Sequence, residues 1–136
     1  MRTTTRFLAA LAVLGFGSGY AEEPRIFGAV RVQMPKVESG SVDVAALQKF
    51  VKARASSFNN CYGKELKEKP ALEGSLTLRC SIQTSGRFTA PEVRDDTMGS
   101  PSLVECLKHV PSGWSFKPAP AETAVVLIPL ELKVIK

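Results

Sequence analysis

The chain has 136 residues, of which 44% are apolar and 23% charged, and its formal net charge is +5. This length suits one domain with one hydrophobic core, and its 10 glycines and 9 prolines are too few for a low-complexity or collagen-like chain. No apolar run reaches the ~20 residues that a membrane-spanning helix needs. The composition therefore predicts a small globular domain and excludes a fibrous, disordered or multi-span membrane protein.

The first 21 residues have the pattern of a secretory signal peptide. Arg2 and Arg6 supply positive charge, an apolar stretch runs from Phe7 to Gly17, and Gly19 and Ala21 are small residues at the positions that signal peptidase inspects. We predict cleavage near Ala21 and a periplasmic or secreted protein, with an uncleaved anchor or a flexible tail as the alternative. The weak net positive charge that would remain after cleavage argues against nucleic acid as a partner.

Residues 22–42 are expected to be an N-terminal extension that is either a linker or a short strand. Apolar residues at every second position from Ile26 to Met34 favour a strand, and Pro35 and Ser39 to Ser41 are turn signals after it. The domain itself is predicted over residues 43–136.

One long amphipathic helix is predicted over residues 44–67, because apolar residues recur there at steps of three and four. Asp43 is a suitable N-cap, and Gly63 marks a position where the helix can kink or break. Basic residues occupy much of the remaining surface of this helix. We interpret them as a solvated face, since Glu65 and Glu68 interrupt them, and an anionic lipid surface is the alternative.

A β-hairpin is predicted next. Polar and apolar residues alternate without exception over residues 75–83, which is typical of a strand with one buried face. Gly86 lies in the turn that follows, and a weaker strand starts at Phe88, with Pro91 indicating an edge or a bulge.

A second helix is predicted to start near Ser100 and to end before Pro111, and residues 124–134 are expected to form the last strand. Between them, Trp114 and Phe116 share a face and are expected to cover the core, the alternative being an exposed aromatic platform. The predicted fold class is α+β, with a small three-stranded antiparallel sheet covered on one face by two helices.

Several motifs follow one another along residues 44–133: Cys61-Tyr62, Leu66, Pro70, Leu72-Glu73-Gly74, Gly86, Cys106-Leu107, Trp114-Ser115-Phe116 and Pro118. In order and spacing they resemble the AgmX/PglI C-terminal domain family, which is itself similar to the TonB C-terminal domain. The resemblance implies a TonB-like fold that binds a protein of the cell envelope. It also allows a role in an envelope-spanning or gliding-motility machine.

Three cysteines, Cys61, Cys80 and Cys106, follow the predicted cleavage site, and an oxidising compartment permits one disulfide among them. Spacing alone does not select the pair. The resemblance implies a Cys61–Cys106 disulfide, because both are family cysteines; three reduced thiols or a pair with Cys80 are the alternatives.

Chemical motifs are few, so we predict no catalytic site, cofactor, metal or small-molecule substrate. The sequence contains no phosphate-binding glycine motif, zinc spacing or nucleophile elbow. The weak alternative is a thiol-dependent enzyme using Cys80, or using Cys106 with His109 one helical turn away. Asp95 and Asp96 are interpreted as a turn.

The last strand is predicted to be an open edge of the sheet, because residues 75–83 are expected at the centre with one strand on each side. Unpaired backbone groups at an edge accept an extended peptide as an added strand. The resemblance to TonB-like domains implies the same use, because those domains bind a partner at this edge. We therefore predict a partner-binding edge at Val125, Leu127 and Pro129. The alternatives are that residues 22–34 cover it, or that it pairs with a second copy in a weak homodimer.

Overall fold

The computed structural model describes residues 27–135. The predicted signal peptide and its cleavage near Ala21 lie outside these residues. The described chain belongs to the α+β class, as predicted, with five strands, three α-helices and one short 3-10 helix. Their bounds are β1 Phe27–Val32, β2 Lys36–Ser39, α1 Val44–Lys52, α2 Ala55–Glu68, β3 Gly74–Ile82, β4 Phe88–Arg94, α3 Pro101–His109, the 3-10 helix Val110–Gly113 and β5 Ala124–Ile135.

The strands form one antiparallel sheet in the order β1-β5-β3-β4, in which β2 also pairs with β5. β3 lies between β4 and β5, as predicted. The expectation of only three strands is wrong, because residues 27–39 contribute β1 and β2 to the same sheet. β5 accommodates both on one side: β1 runs beside residues 130–135 and β2 beside residues 125–127. Residues 27–39 therefore contribute strands to the same sheet as β3, β4 and β5.

Alternation along the two central strands places the core on one face of the sheet. The inward side chains of β3 and β5 are buried throughout, and helical side chains pack onto them in a single hydrophobic cluster. The inward residues are Leu76, Leu78, Cys80, Ile82, Ala124, Val126, Ile128, Leu130 and Leu132. Burying one such leucine or isoleucine contributes roughly 1.5–3 kcal/mol, so this layer supplies much of the driving force for folding.

The first helix is broken at Ala53 and Arg54, although one continuous helix was predicted. The Nη1 atom of Arg54 donates to the carbonyl oxygen of Phe50 at 3.0 Å, while the Arg54 amide donates to Val51 three residues back. The guanidinium also lies 3.5 Å from the centre of the Phe50 ring, a cation–π contact. In a continuous helix the Arg54 amide would donate to the carbonyl oxygen of Phe50. Here the Arg54 side chain donates to that oxygen instead. The helix passes through Gly63 without a break.

Two contacts join α2 to α3. The predicted disulfide between Cys61 and Cys106 is present, with an S–S distance of 2.03 Å. Beside it, the buried carboxylate of Glu65 accepts hydrogen bonds from the hydroxyls of Ser100 at 2.6 Å and Ser102 at 2.8 Å. These two bonds lower the pKa of Glu65 more than its burial raises it.

The hairpin and the aromatic cluster follow the sequence prediction. Gly86 turns the chain with φ near +90°, and the register of β4 against β3 shifts close to Pro91. Trp114 and Phe116 are buried and make edge-to-face contacts with Phe50. The aromatic pair therefore belongs to the core and forms no exposed platform.

Candidate functional site

The face of the sheet opposite the core, here called the outer face, carries the predicted site residues. All three described α-helices bury side chains in the core on the other face, so the outer face has no helical layer in residues 27–135. Its central rows come from alternate positions of β3 and β5. These residues are Ser75, Thr77, Arg79, Ser81, Val125, Leu127, Pro129, Glu131 and Lys133.

The side chains of Val125, Leu127 and Pro129 form a half-buried apolar row on this face. Their strand is interior, so the prediction of an open edge at β5 is wrong. In the sheet register, Leu127 lies between Lys36 of β2 and Arg79 of β3. An added peptide strand would first have to displace β1 or β2, because β5 is paired on both sides.

The outermost strand on that side is itself protected by the helices. The amide of Val30 in β1 donates to Oδ1 of Asn59 at 2.9 Å, and Nε2 of Gln48 donates to the carbonyl oxygen of Val32 at 3.3 Å. Side-chain amides thus satisfy backbone groups that an edge strand would otherwise present to another chain. Periodicity does not reveal these contacts, since Gln48 and Asn59 read only as polar helical positions.

The opposite edge, β4, is irregular. Pro91 has no amide hydrogen to donate, and Ala90 adopts a positive φ of 51° beside it. Near the hairpin turn, Arg87 forms an isolated bridge with Ser115. These features interrupt the straight row of donors and acceptors that strand addition requires.

A network of ion pairs crosses the outer face from β2 to β4. Nε of Arg79 donates to Glu38 at 2.7 Å, and Nε of Arg94 donates to Glu92 at 2.9 Å. Longer contacts of 3.7 and 3.8 Å connect Glu38 with Arg94 and Arg79 with Glu92. The hydrogen bond that Arg79 donates to Glu38 raises the pKa of Arg79. Since no residue of this network was predicted as a site, it is the part of the surface that the sequence reading missed.

Two shallow clefts of about 300 and 320 Å³ extend the outer face toward one end of the central strands. Both are lined by Ser75 and Glu131; the first also includes Asp95, and the second includes Glu73 and Lys133. The described residues contain no group of three or more His, Cys, Asp or Glu side chains able to hold a metal ion. The polar side chains that line the clefts offer hydrogen-bond donors and acceptors.

Neither cysteine of the thiol alternative is an exposed free thiol in this structure. Cys106 is held in the disulfide, and burial raises the pKa of the Cys80 thiol to about 12. A thiolate is the reactive form of cysteine, and Cys80 is protonated at neutral pH. His109, at the end of α3, has no free thiol at Cys106 to activate.

Searches against family models, curated proteins and solved structures found no match to the chain. In residues 27–135, no helix is both long and apolar enough to cross a membrane.

Proposed function

We propose that the chain is an exported protein-interaction module of the cell envelope, resembling the AgmX/PglI C-terminal domain, and that it binds its protein partner through the outer face. The observation that carries this proposal is the apolar row of Val125, Leu127 and Pro129 on a face that no helix of residues 27–135 covers. An apolar strip bordered by charged side chains is typical of protein-binding surfaces.

Two further features support the same surface. Phe27 and Ile135 are paired in register at the end of β1 and β5, and both are more than half exposed, at 57% and 53%. Their alternation places them on the outer face, where Glu131 and Lys133 lie between Ile135 and the apolar row. The ion pairs of Arg79 hold charged groups beside that row, where they provide orientation for a partner more than affinity.

Export is supported by the leader-like residues 1–21 and by the Cys61–Cys106 disulfide, because disulfides persist mainly in oxidising compartments. Binding at the outer face uses side chains of an intact sheet. It therefore replaces strand addition at β5, which the pairing of β1 and β2 opposes.

Site-specific photo-crosslinking in living cells tests this function. A benzophenone amino acid replaces Leu127 on the outer face, and in a matched strain it replaces Asn60, which is exposed on α2 in the opposite layer. We expect an adduct with one envelope protein from position 127 and none with that protein from position 60. Equal adducts from both positions, or none from position 127, would refute the outer face as the binding surface; an adduct between two copies would indicate the self-associating structural subunit instead.

A further inference from the structure

The solvent-facing side of α1 and α2 carries a line of lysines that the outer face does not use. Buried residues recur at 47, 51, 58, 62 and 66. The two helices therefore turn the same side toward the core before and after the break at Ala53 and Arg54. The exposed positions opposite them form one stripe, here called the lysine stripe: Lys49, Lys52, Ser56, Asn60, Lys64 and Lys67. At 1.5 Å per residue it is about 27 Å long.

The structure removes one of the two acidic interruptions of this charged face, whereas Glu68 stays exposed beside Lys67. Glu65 is turned inward, where its carboxylate is held by Ser100 and Ser102. The remaining acidic residues of this region, Asp43 and Glu68, lie at the two ends. Within the described part of the chain, no carboxylate lies within ion-pair distance of any lysine of the stripe.

We propose that the lysine stripe docks the protein on the surface of an anionic phospholipid bilayer. The cations of the stripe are all lysines, which are compact charges on flexible stems, whereas specific pairing with protein carboxylates favours the planar fork of arginine. The stripe also contains no aromatic or large aliphatic side chain, and such side chains anchor most protein interfaces. Charge complementarity without an anchor fits a diffuse layer of lipid phosphates better than a folded acidic partner.

This orientation has a consequence for the rest of the domain. The helical layer would lie on the bilayer, and the outer face of the sheet would point away from it. The inference does not rest on the function proposed above, because the two surfaces belong to opposite layers and share no residue.

Vesicle co-sedimentation of the purified protein tests the proposal, using phosphatidylcholine vesicles with and without phosphatidylglycerol. A lysine near an anionic surface strengthens binding on the order of five-fold, so four together give roughly several hundred-fold. We expect binding only to vesicles with phosphatidylglycerol, at ~0.05 M salt and not at ~0.5 M salt, since salt shortens the range of electrostatic attraction. The variant K49Q/K52Q/K64Q/K67Q should lose this binding.

A matched control removes the same number of positive charges elsewhere. The variant K36Q/R87Q/K117Q/K133Q changes four exposed residues outside the lysine stripe. Its binding should fall less than about five-fold, the effect of a single lysine. All three proteins are purified in the exported form with the same N-terminus, and circular dichroism with thermal melting establishes that each is folded.

Three outcomes would overturn the proposal. The first is a wild-type protein that does not bind the phosphatidylglycerol vesicles at low salt. The second is an equal loss of binding in both quadruple variants, which would indicate a response to net charge alone. The third is binding to polyglutamate through the lysine stripe without binding to vesicles, which would assign the stripe to an acidic protein segment.

Discussion

Removal of the disulfide should produce a large loss of stability that can be calculated from the fold. Cys61 and Cys106 are 45 positions apart, so the bridge closes a long loop in the unfolded chain. In the chain-entropy relation a loop of this length corresponds to about 4 kcal/mol of stabilisation. For a domain of this size, such a loss lowers the melting temperature by roughly 15–20 °C. The double variant C61A/C106A should show this decrease in urea denaturation and thermal melting.

The variant C80A separates loop closure from the loss of buried sulfur. Cys80 is buried, at 1% exposure, and lies outside the disulfide, so its replacement by alanine leaves the loop closed and should cost on the order of 1 kcal/mol. Reduction of the wild-type protein should reproduce the double variant, whereas reduction of C61A/C106A should change nothing. A double variant within about 1 kcal/mol of wild type, or no more destabilised than C80A, would refute the loop-closure account.

Further predictions concern single residues. Gly28→Ala should destabilise by about 1–3 kcal/mol, because a new Cβ would overlap the ring of Tyr62; Gly63→Ala, where nothing lies within 4 Å of the new Cβ, should stabilise by about 0.5–1 kcal/mol, and urea denaturation of both variants measures the contrast. Glu65→Gln should lose on the order of 1–2 kcal/mol at pH 7, because its hydrogen bonds are no longer charge-assisted. Since the folded-state pKa of Glu65 is lowered, its contribution is present above its unfolded pKa and is lost as the pH falls through the lower folded value. The urea midpoint of wild type should therefore fall further than that of Glu65→Gln between neutral and acidic pH, and equal falls would contradict this. Cys80 should not react with a disulfide exchange reagent at pH 8 in the native protein and should react in urea, because burial raises its thiol pKa to about 12; rapid native reaction would restore the thiol-enzyme alternative.

Local patterns predicted the centre of the sheet and both helical regions correctly. Strict alternation over residues 75–83 identified β3, and Gly86 identified the turn after it, because each depends on neighbours in the chain. The start of the second helix near Ser100 was predicted for the same reason, and the Ser100 hydroxyl accepts a hydrogen bond from the amide of Leu103. The disulfide followed from the family resemblance and not from spacing.

The errors concern contacts between distant parts of the chain. Whether residues 27–39 form strands depends on β5, whose sequence lies about a hundred residues away, so a local pattern left strand and linker equally supported. The error in the predicted sheet edge has the same cause, because β5 would lie at the edge of the sheet only without β1 and β2. The helix break at Arg54 is accompanied by a hydrogen bond from the Arg54 side chain to Phe50, a contact that periodicity does not report.

The pairing of β1 with β5 joins the first described strand to the last, and this sets an order for folding. Phe27 meets Ile135 across the sheet, so residues 27–32 have no strand partner until nearly the whole chain is available. The local hairpin of β3 and β4 can form early, whereas closure of the β1–β5 ladder requires contacts of the greatest sequence separation, which form slowly. A chain that emerges N-terminus first therefore holds residues 27–32 unpaired until β5 has been synthesised, which leaves them accessible to the machinery that handles nascent chains.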